Sequence, residues 1–305
     1  MSLSQTLRGG HQGLARAACL FGGAIWGLYW IPLRELDASG ISGVWATGAF
    51  HLIPLALVCP LVLLRLSHWR HGGWSLQAIG GSMGLAILLY STAFLYTDVV
   101  RALLLYYLTP IWGAVIARVW LGERITADRL IGIGFGVAGM LVILDISNGV
   151  PWPKNLGDWL ALASGVIWAL AATFSRRYPN HNTIDIVAAW FIWASVITIV
   201  AGLLLSTTPN VPDWKDLSPT LIWLAPIALL VVLPTYLAIT WGLPQLNPGT
   251  SGLLFMTELS VGAVSAALLT QEVFGVREGL GIILISLAGL AEILLPRIRA
   301  LGRRS

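Results

Sequence analysis

One apolar pattern occurs twice in this chain. Gly23-Ala24-Ile25-Trp26-Gly27 is followed seven residues later by Arg34, and 142 positions on, Gly165-Val166-Ile167-Trp168-Ala169 is followed seven residues later by Arg176. Further along, Pro110-Ile111-Trp112-Gly113-Ala114-Val115 with Leu121-Gly122-Glu123 has an echo in 258–264 with Thr270-Gln271-Glu272. Each copy is almost wholly apolar, so the duplicated unit belongs inside a bilayer. A duplicated bundle of apolar helices is the usual sequence sign of a secondary-transporter architecture.

Composition excludes a water-soluble globule. Apolar residues make up 57% of the chain and charged residues 10%, against about 25% charged in an average soluble domain, and the mean hydropathy is +0.80. A helix crossing the hydrocarbon needs about 20 apolar residues. Ten such runs are predicted, at about 16–34, 41–64, 76–96, 99–118, 128–146, 157–176, 184–205, 219–240, 250–270 and 279–296. A β-barrel would instead show weak alternation over short strands. Five spans per copy is an odd number, so the second copy enters the membrane in the opposite sense. The expected fold is therefore all-α integral membrane, with ten transmembrane helices as two inverted five-helix repeats around a central cavity. Repeat 1 is 1–148 and repeat 2 is 149–305, joined through a polar turn at 148–158.

Charge placement orients the bundle. With the amino terminus inside, thirteen of the eighteen Lys and Arg residues fall in cytoplasmic segments, and five (Arg34, Arg101, Lys154, Lys215 and Arg277) fall outside. By the positive-inside rule both termini are expected in the cytoplasm. The basic tail from Arg297 suits anionic headgroups, and nucleic acid is not an expected partner. The first span is too long and too rich in Trp for a cleaved signal peptide. Cys19 and Cys59 both lie in spans and read as packing residues. Trp45, Trp69, Trp74, Trp120, Trp152, Trp159, Trp214 and Trp223 fall at span ends and read as interfacial anchors. Trp26, Trp112, Trp168, Trp193 and Trp241, with Tyr90, Tyr106, Tyr107 and Tyr236, lie deeper. For these, helix packing and cavity lining both stand as readings, and Trp26 and Trp168 are singled out because the repeat relates them.

Several motifs are decoys. Gly134-Phe135-Gly136-Val137-Ala138-Gly139 matches a dinucleotide fingerprint letter for letter, but it sits within a span and lacks the strand it would need before it. Close helix packing is its expected use. No enzyme constellation is present, no metal or cofactor motif, and no GxxxxGK[ST] loop for ATP. His51, the lone histidine inside a span, reads either as a hydrogen-bonded packing residue or as a proton relay.

Glu258 and Glu292 are the anomalies. A carboxylate at membrane depth must be protonated, paired or facing water, since leaving it charged costs about 2.5–3.5 kcal/mol on insertion scales. Glu258, near the centre of the ninth span, stands as a coupling or cation site against a structural hydrogen bond; Glu292, nearer a span end, can snorkel. Arg34 and Glu272 are expected on the outer side, with their repeat mates Arg176 and Glu123 on the inner side. Each pair is a candidate gate latch, with interfacial snorkelling as the competing reading. Pro54, Pro110, Pro226 and Pro234 each remove a helical hydrogen bond. Pro244 and Pro248 frame the turn into the ninth span, where Asn247, Thr250 and Ser251 offer caps to a helix start able to hold a carboxylate.

Ten spans from two inverted repeats, with Ile-Trp-Gly in span one and Leu-Gly-Glu-Arg after span four, resemble the drug/metabolite transporter superfamily of EamA type. The second copy departs, with Trp-Ala at 168–169 and Thr-Gln-Glu at 270–272. Leu-Leu-Leu-Tyr-Tyr-Leu-Thr-Pro at 103–110 and Gly-Leu-Leu-Phe-Met-Thr-Glu at 252–258 are most similar to its aromatic amino acid exporters. The resemblance implies export of aromatic amino acids and related amphipathic metabolites across a bacterial inner membrane, by alternating access and without a cofactor. It implies a substrate cavity at Trp26, Tyr90, Tyr106, Trp168, Tyr236, Ser251 and Met256, in a monomer or weak homo-oligomer. An exporter of cationic drugs, for which Glu258 and aromatic faces would hold the charge, and a channel or facilitator remain as alternatives.

Overall fold

The computed structural model describes residues 11–41, 43–65, 67, 71–93, 96–97, 99–143, 153–205, 212–269 and 275–302. The expected repeat junction at 148/149, Glu272 and the side chain of Glu292 lie outside them. Among the described residues every regular element is helical. Seven helices are long and apolar enough to cross a bilayer: Gln12–Leu36, Val44–Leu64, Gly73–Ala93, Leu156–Arg177, Thr183–Leu204, Leu217–Gln245 and Pro248–Leu269. The expected fourth, fifth and tenth spans are helical too, but are not among those seven. The fourth is two short helices, Val99–Tyr106 and Thr109–Trp120; the others are Ala127–Ile143 and Val276–Gly302.

In chain order the helices are α1 Gln12–Trp26, α2 Trp30–Ala38, α3 Gly43–Leu64, α4 Gly73–Ala93, α5 Val99–Tyr106, α6 Thr109–Trp120, α7 Ala127–Ile143, α8 Leu156–Arg177, α9 Thr183–Leu205, α10 Trp214–Ile227, α11 Leu233–Gly242, α12 Pro248–Phe255, α13 Thr257–Leu269 and α14 Val276–Gly302. A π-helical turn, Ala228–Val232, joins α10 to α11, and a short 3-10 turn, Leu243–Gln245, follows α11. The packing is symmetric under exchange of the halves. α3 lies on α9 and α7 on α14, each element against its own repeat mate, and α6 lies on α12, so that the matching fourth and ninth spans also meet. α1 packs on α11, and its mate α8 packs on α4.

Glycine allows the closest of these approaches. A Cβ on Gly165 would stand 2.6 Å from the Tyr106 carbonyl oxygen, and one on its mate Gly23 would stand 2.9 Å from the Phe255 carbonyl oxygen. Each glycine therefore brings its helix backbone-to-backbone against the interrupted span of the other half, as small residues do in membrane packing. Gly136 and Gly139 of the GxGxxG run face Met256 and the Gly281 backbone in the same way, so these two glycines serve helix packing as the sequence suggested. Trp74, Trp120, Trp159 and Trp214 are exposed at helix ends, the placement of an interfacial belt.

Three spans break midway. α1 gives way to α2 at Gly27–Tyr29, α5 to α6 at Tyr107–Leu108, and α12 to α13 at Met256. Each break is tightened by bonds to the third residue back: Leu28 to Ile25 (3.0 Å), Ile111 to Leu108 (2.9 Å) and Met256 to Leu253 (3.2 Å). The hydroxyl beside each of the two matching breaks reaches a freed carbonyl, Thr109 to Tyr106 and Thr257 to Leu254 at 3.0 Å. Thr257 also lies 3.1 Å from the Leu20 carbonyl, and Thr109 lies 3.5 Å from that of Gly165, on the crossing helices. Hydroxyls are among the groups that make a broken helix tolerable at membrane depth.

A methyl on Gly80 would sit 2.5 Å from the Ala189 Cβ and 2.7 Å from its carbonyl carbon, whereas Gly134 has nothing within 4 Å. Gly80→Ala is therefore expected to destabilise the protein by about 1–3 kcal/mol through overpacking of α4 on α9. Gly134→Ala should change it by less than about 0.5 kcal/mol. Unfolding of the two variants in detergent measures the difference.

Candidate functional site

The breaks converge on one cavity. It is lined by Trp26, Tyr29, Ala86, Ile87, Tyr90, Tyr106, Trp168, Tyr236 and Glu258. These come from α1 and its break, from α4, α5, α8 and α11, and from the start of α13, so both halves contribute. The volume is about 20 Å³, room for a single water, whereas a cavity that admits benzene measures about 150 Å³. An apolar pocket of about 210 Å³ adjoins it, sharing Trp26, Tyr29 and Tyr236.

The wall consists of two groups of rings. In one, Trp26 meets its repeat mate Trp168 edge to face at 5.0 Å and stacks on Phe255 at 5.5 Å. Trp168 meets Trp190 at 5.4 Å, and Trp190 lies on Tyr236 at 4.1 Å. In the other, Tyr90 meets Tyr106 at 4.5 Å, and Tyr106 meets Tyr107 edge to face at 5.1 Å. Glu258 belongs to the second group. It is half-buried in the first turn of α13, and the Tyr90 hydroxyl donates to its Oε1 at 3.3 Å. Among the described residues the lining holds no Lys or Arg. Chemically the cavity offers flat apolar faces and one carboxylate, the arrangement that suits an aromatic group bearing an amine.

Of the residues expected here, Trp26, Tyr90, Tyr106, Trp168, Tyr236 and Glu258 are brought together. Ser251 and Met256 are not. Ser251 is buried in the first turn of α12, where its hydroxyl donates to the Pro248 carbonyl at 3.0 Å. Met256 is buried and packs toward Gly136 on α7. Tyr29, Ala86 and Ile87 also line the cavity and were not singled out from the sequence. Tyr29 lies three residues after Trp26, a helical spacing that puts both on one face.

At one end of the bundle a polar network joins the halves. Arg176, in the last turn of α8, donates from Nε to Glu123 Oε1 at 3.1 Å and from Nη1 to the Pro244 carbonyl at 3.0 Å. Asn247 completes it. Its Oδ1 accepts from the Gly249 N–H at 2.8 Å and so caps α12, while its amide donates to Glu123 Oε2. Nearby, Arg65 grips Asp185 with two bonds of 2.7 and 2.9 Å, tying the end of α3 to the start of α9. That hydrogen bonding raises the Arg65 guanidinium further above its ordinary range. A vestibule of about 710 Å³ opens at the same end, with Arg176, His181, Thr240 and Trp241 in its wall.

The other end differs. Arg34 is exposed, its guanidinium over the Trp30 ring at 5.3 Å, and its expected partner Glu272 lies outside the described residues. There the halves are joined by the Trp30 indole donating to Ser265 at 3.0 Å and by the Thr97 hydroxyl donating to the buried Asp158 at 2.6 Å. Asp185 and Asp158 were not singled out from the sequence; Asn247, standing before Pro248, bore the signal of a helix cap.

The chain is similar to known membrane transporters. It is 24% identical to the "Uncharacterized transporter YyaM" of Bacillus subtilis strain 168, over 70% of this chain and 71% of that protein. A "Probable amino-acid metabolite efflux pump" of Escherichia coli K12 is 32% identical over 26% of each chain, and a "Riboflavin transporter" of Rhizobium johnstonii is 23% identical over 62% of this chain and 61% of that one. One solved crystal structure, described only as that of a protein, aligns with a TM-score of 0.72 at 20% identity, covering 93% of this chain and 97% of the other; it shares the fold. The EamA-like transporter family matches twice, at residues 14–145 and again at 155–294. With both halves matched and both contributing to one central cavity, the chain belongs to the EamA-like transporter family.

Proposed function

We propose that this transporter exports aromatic amino acids and related amphipathic metabolites across a bacterial inner membrane by alternating access, with both termini in the cytoplasm. The observation that carries the reading is the cavity at the helix breaks, where six aromatic side chains stand around the Glu258 carboxylate. Aromatic faces bind an aromatic solute through offset or edge contacts worth about 0.5–1.5 kcal/mol each beyond burial, and Glu258 accepts from its amine. A relative described as an amino-acid metabolite efflux pump supports an amine-bearing solute, and one described as a riboflavin transporter supports a flat ring. Concentrating a solute tenfold costs about 1.4 kcal/mol, and one proton falling through 100 mV supplies about 2.3 kcal/mol. One coupled proton therefore suffices, and Glu258 is its carrier. A second reading, an exporter of aromatic cations, is favoured by one observation: among the described residues the lining offers a carboxylate and no Lys or Arg for a substrate carboxylate.

Counterflow in proteoliposomes separates the readings. Labelled phenylalanine should accumulate against unlabelled phenylalanine inside, a trans-acceleration that a channel does not show. Accumulation of phenethylamine with none of phenylalanine would select the cation reading, and silence from both would remove the aromatic assignment. Under the amino acid reading, Glu258→Gln, whose amide oxygen still accepts from the amine, is expected to weaken phenylalanine counterflow without abolishing it, while abolishing its response to an imposed pH gradient. Under the cation reading it should cut phenethylamine counterflow about tenfold or more, the worth of a charge-assisted hydrogen bond.

The Arg176–Glu123–Asn247 network acts as the cytoplasmic latch, and the vestibule beside it is the entry. In a protein with Cys19 and Cys59 replaced, a cysteine in place of Ala86 reports access to the cavity. Glu123→Ala should speed its labelling by a thiol reagent from the cytoplasmic side about two- to tenfold, given one half-buried ion pair and one hydrogen bond lost. An unchanged rate would show that the network only anchors the helix ends.

A further inference from the structure

We propose that His51, one layer behind the cavity, sets substrate selectivity by holding the hydroxyl of Tyr236 out of it; the proposal rests on the aromatic-substrate reading above. His51 lies on α3 and is fully buried. Its Nδ1 is 2.8 Å from the Thr47 carbonyl and its Nε2 is 3.0 Å from the Tyr236 hydroxyl. A carbonyl only accepts, so Nδ1 carries the ring hydrogen, and Nε2 of the neutral ring accepts from Tyr236. A phenol has one hydrogen to donate, and here it is committed to His51. What Tyr236 shows the cavity is its ring, held on Trp190 at 4.1 Å and Phe191 at 5.0 Å.

The consequence is a cavity with a polar region at Glu258 and Tyr90 and an apolar region at Trp26, Trp168 and Tyr236. A substrate whose amine meets Glu258 lays its ring against the apolar region. A para-hydroxyl on that ring loses its water there and finds no donor from Tyr236, so plain aromatic rings are favoured over hydroxylated ones. His51 acts through Tyr236 and is a positioning residue.

The test is the ratio of tyrosine to phenylalanine counterflow, repeated with tyramine and phenethylamine, because a ratio does not depend on how much protein is folded. His51→Leu frees the Tyr236 hydroxyl and should raise the ratio about three- to tenfold, the worth of one regained hydrogen bond. His51→Gln can donate to Thr47 and accept from Tyr236, and should leave the ratio within about twofold of the wild type. Tyr236→Phe removes a hydroxyl that is already hidden, so the ratio should hold whatever happens to the absolute rate. In the Tyr236→Phe background His51→Leu should have no effect on the ratio. A ratio unmoved by His51→Leu, or moved equally with and without the Tyr236 hydroxyl, would overturn the proposal. If His51→Leu does not fold, a change of more than about twofold in Tyr236→Phe alone has the same force. Failure of the wild type to carry any of the four probes would instead fall on the aromatic-substrate reading.

Discussion

A helix in hydrocarbon must satisfy its own backbone, because no water is available to do so. The architecture of this transporter depends on where that requirement is relaxed. The chain interrupts three spans midway, at Gly27–Tyr29, Tyr107–Leu108 and Met256, and places residues at or beside each interruption in the wall of one cavity. The interruptions are stabilised locally, by tightened turns and by the Thr109 and Thr257 hydroxyls. They survive because Gly23 and Gly165 let a neighbouring helix cover them at backbone contact distance. The π turn at Ala228–Val232 adds a fourth irregularity just before Tyr236; such turns recur at functional sites. Irregular backbone, close-packed glycine and binding surface are thus one feature.

The two halves build this feature in the same way but furnish it differently. α5 and α12 have eight residues each, and a Thr follows each break. Beside the break on the first half stand Tyr106 and Tyr107; beside the break on the second stands Glu258. An exact duplicate would have placed a carboxylate on both sides of the cavity, where like charges repel. The divergence leaves one acid facing a tyrosine that donates to it. The same divergence distinguishes the two ends, since Glu123 is held by Arg176 and Asn247, while Arg34 lies over Trp30.

Much of this was legible in the sequence, and the boundary of legibility has a physical cause. The apolar runs, the repeat and the pairing of Trp26 with Trp168 are properties of local pattern and of symmetry, both of which a single chain displays. Tyr29 could have been found from its helical spacing to Trp26. Ser251 and Met256 were expected in the cavity from the resemblance to aromatic amino acid exporters, but at an interrupted helix a shift of two positions turns a side chain toward a different neighbour. Asp185 meets Arg65 across 120 residues and Tyr236 meets His51 across 185. No local pattern encodes such a meeting, since it exists only once α3, α9 and α11 pack. Among the described residues seven helices are long and apolar enough to span, so ten spans remain what the sequence pattern leads one to expect; the fourth of them is divided into two short helices.

The small size of the cavity then constrains how transport proceeds. About 20 Å³ is free between the halves, and Trp26 and Trp168 already touch across the axis that relates them. Their separation requires α1 and α8 to move apart, and each of those helices is pinned by glycine contact to the interrupted span of the opposite half. By the same criterion α6 and α12 are pinned to each other, since a Cβ on Gly113 would stand 2.8 Å from the Pro248 carbonyl and one on Gly252 would stand 3.0 Å from the Pro110 Cα. The two interrupted spans and the helices that cross them therefore interlock at backbone contact distance, so the halves do not meet at a flat interface along which they could simply separate.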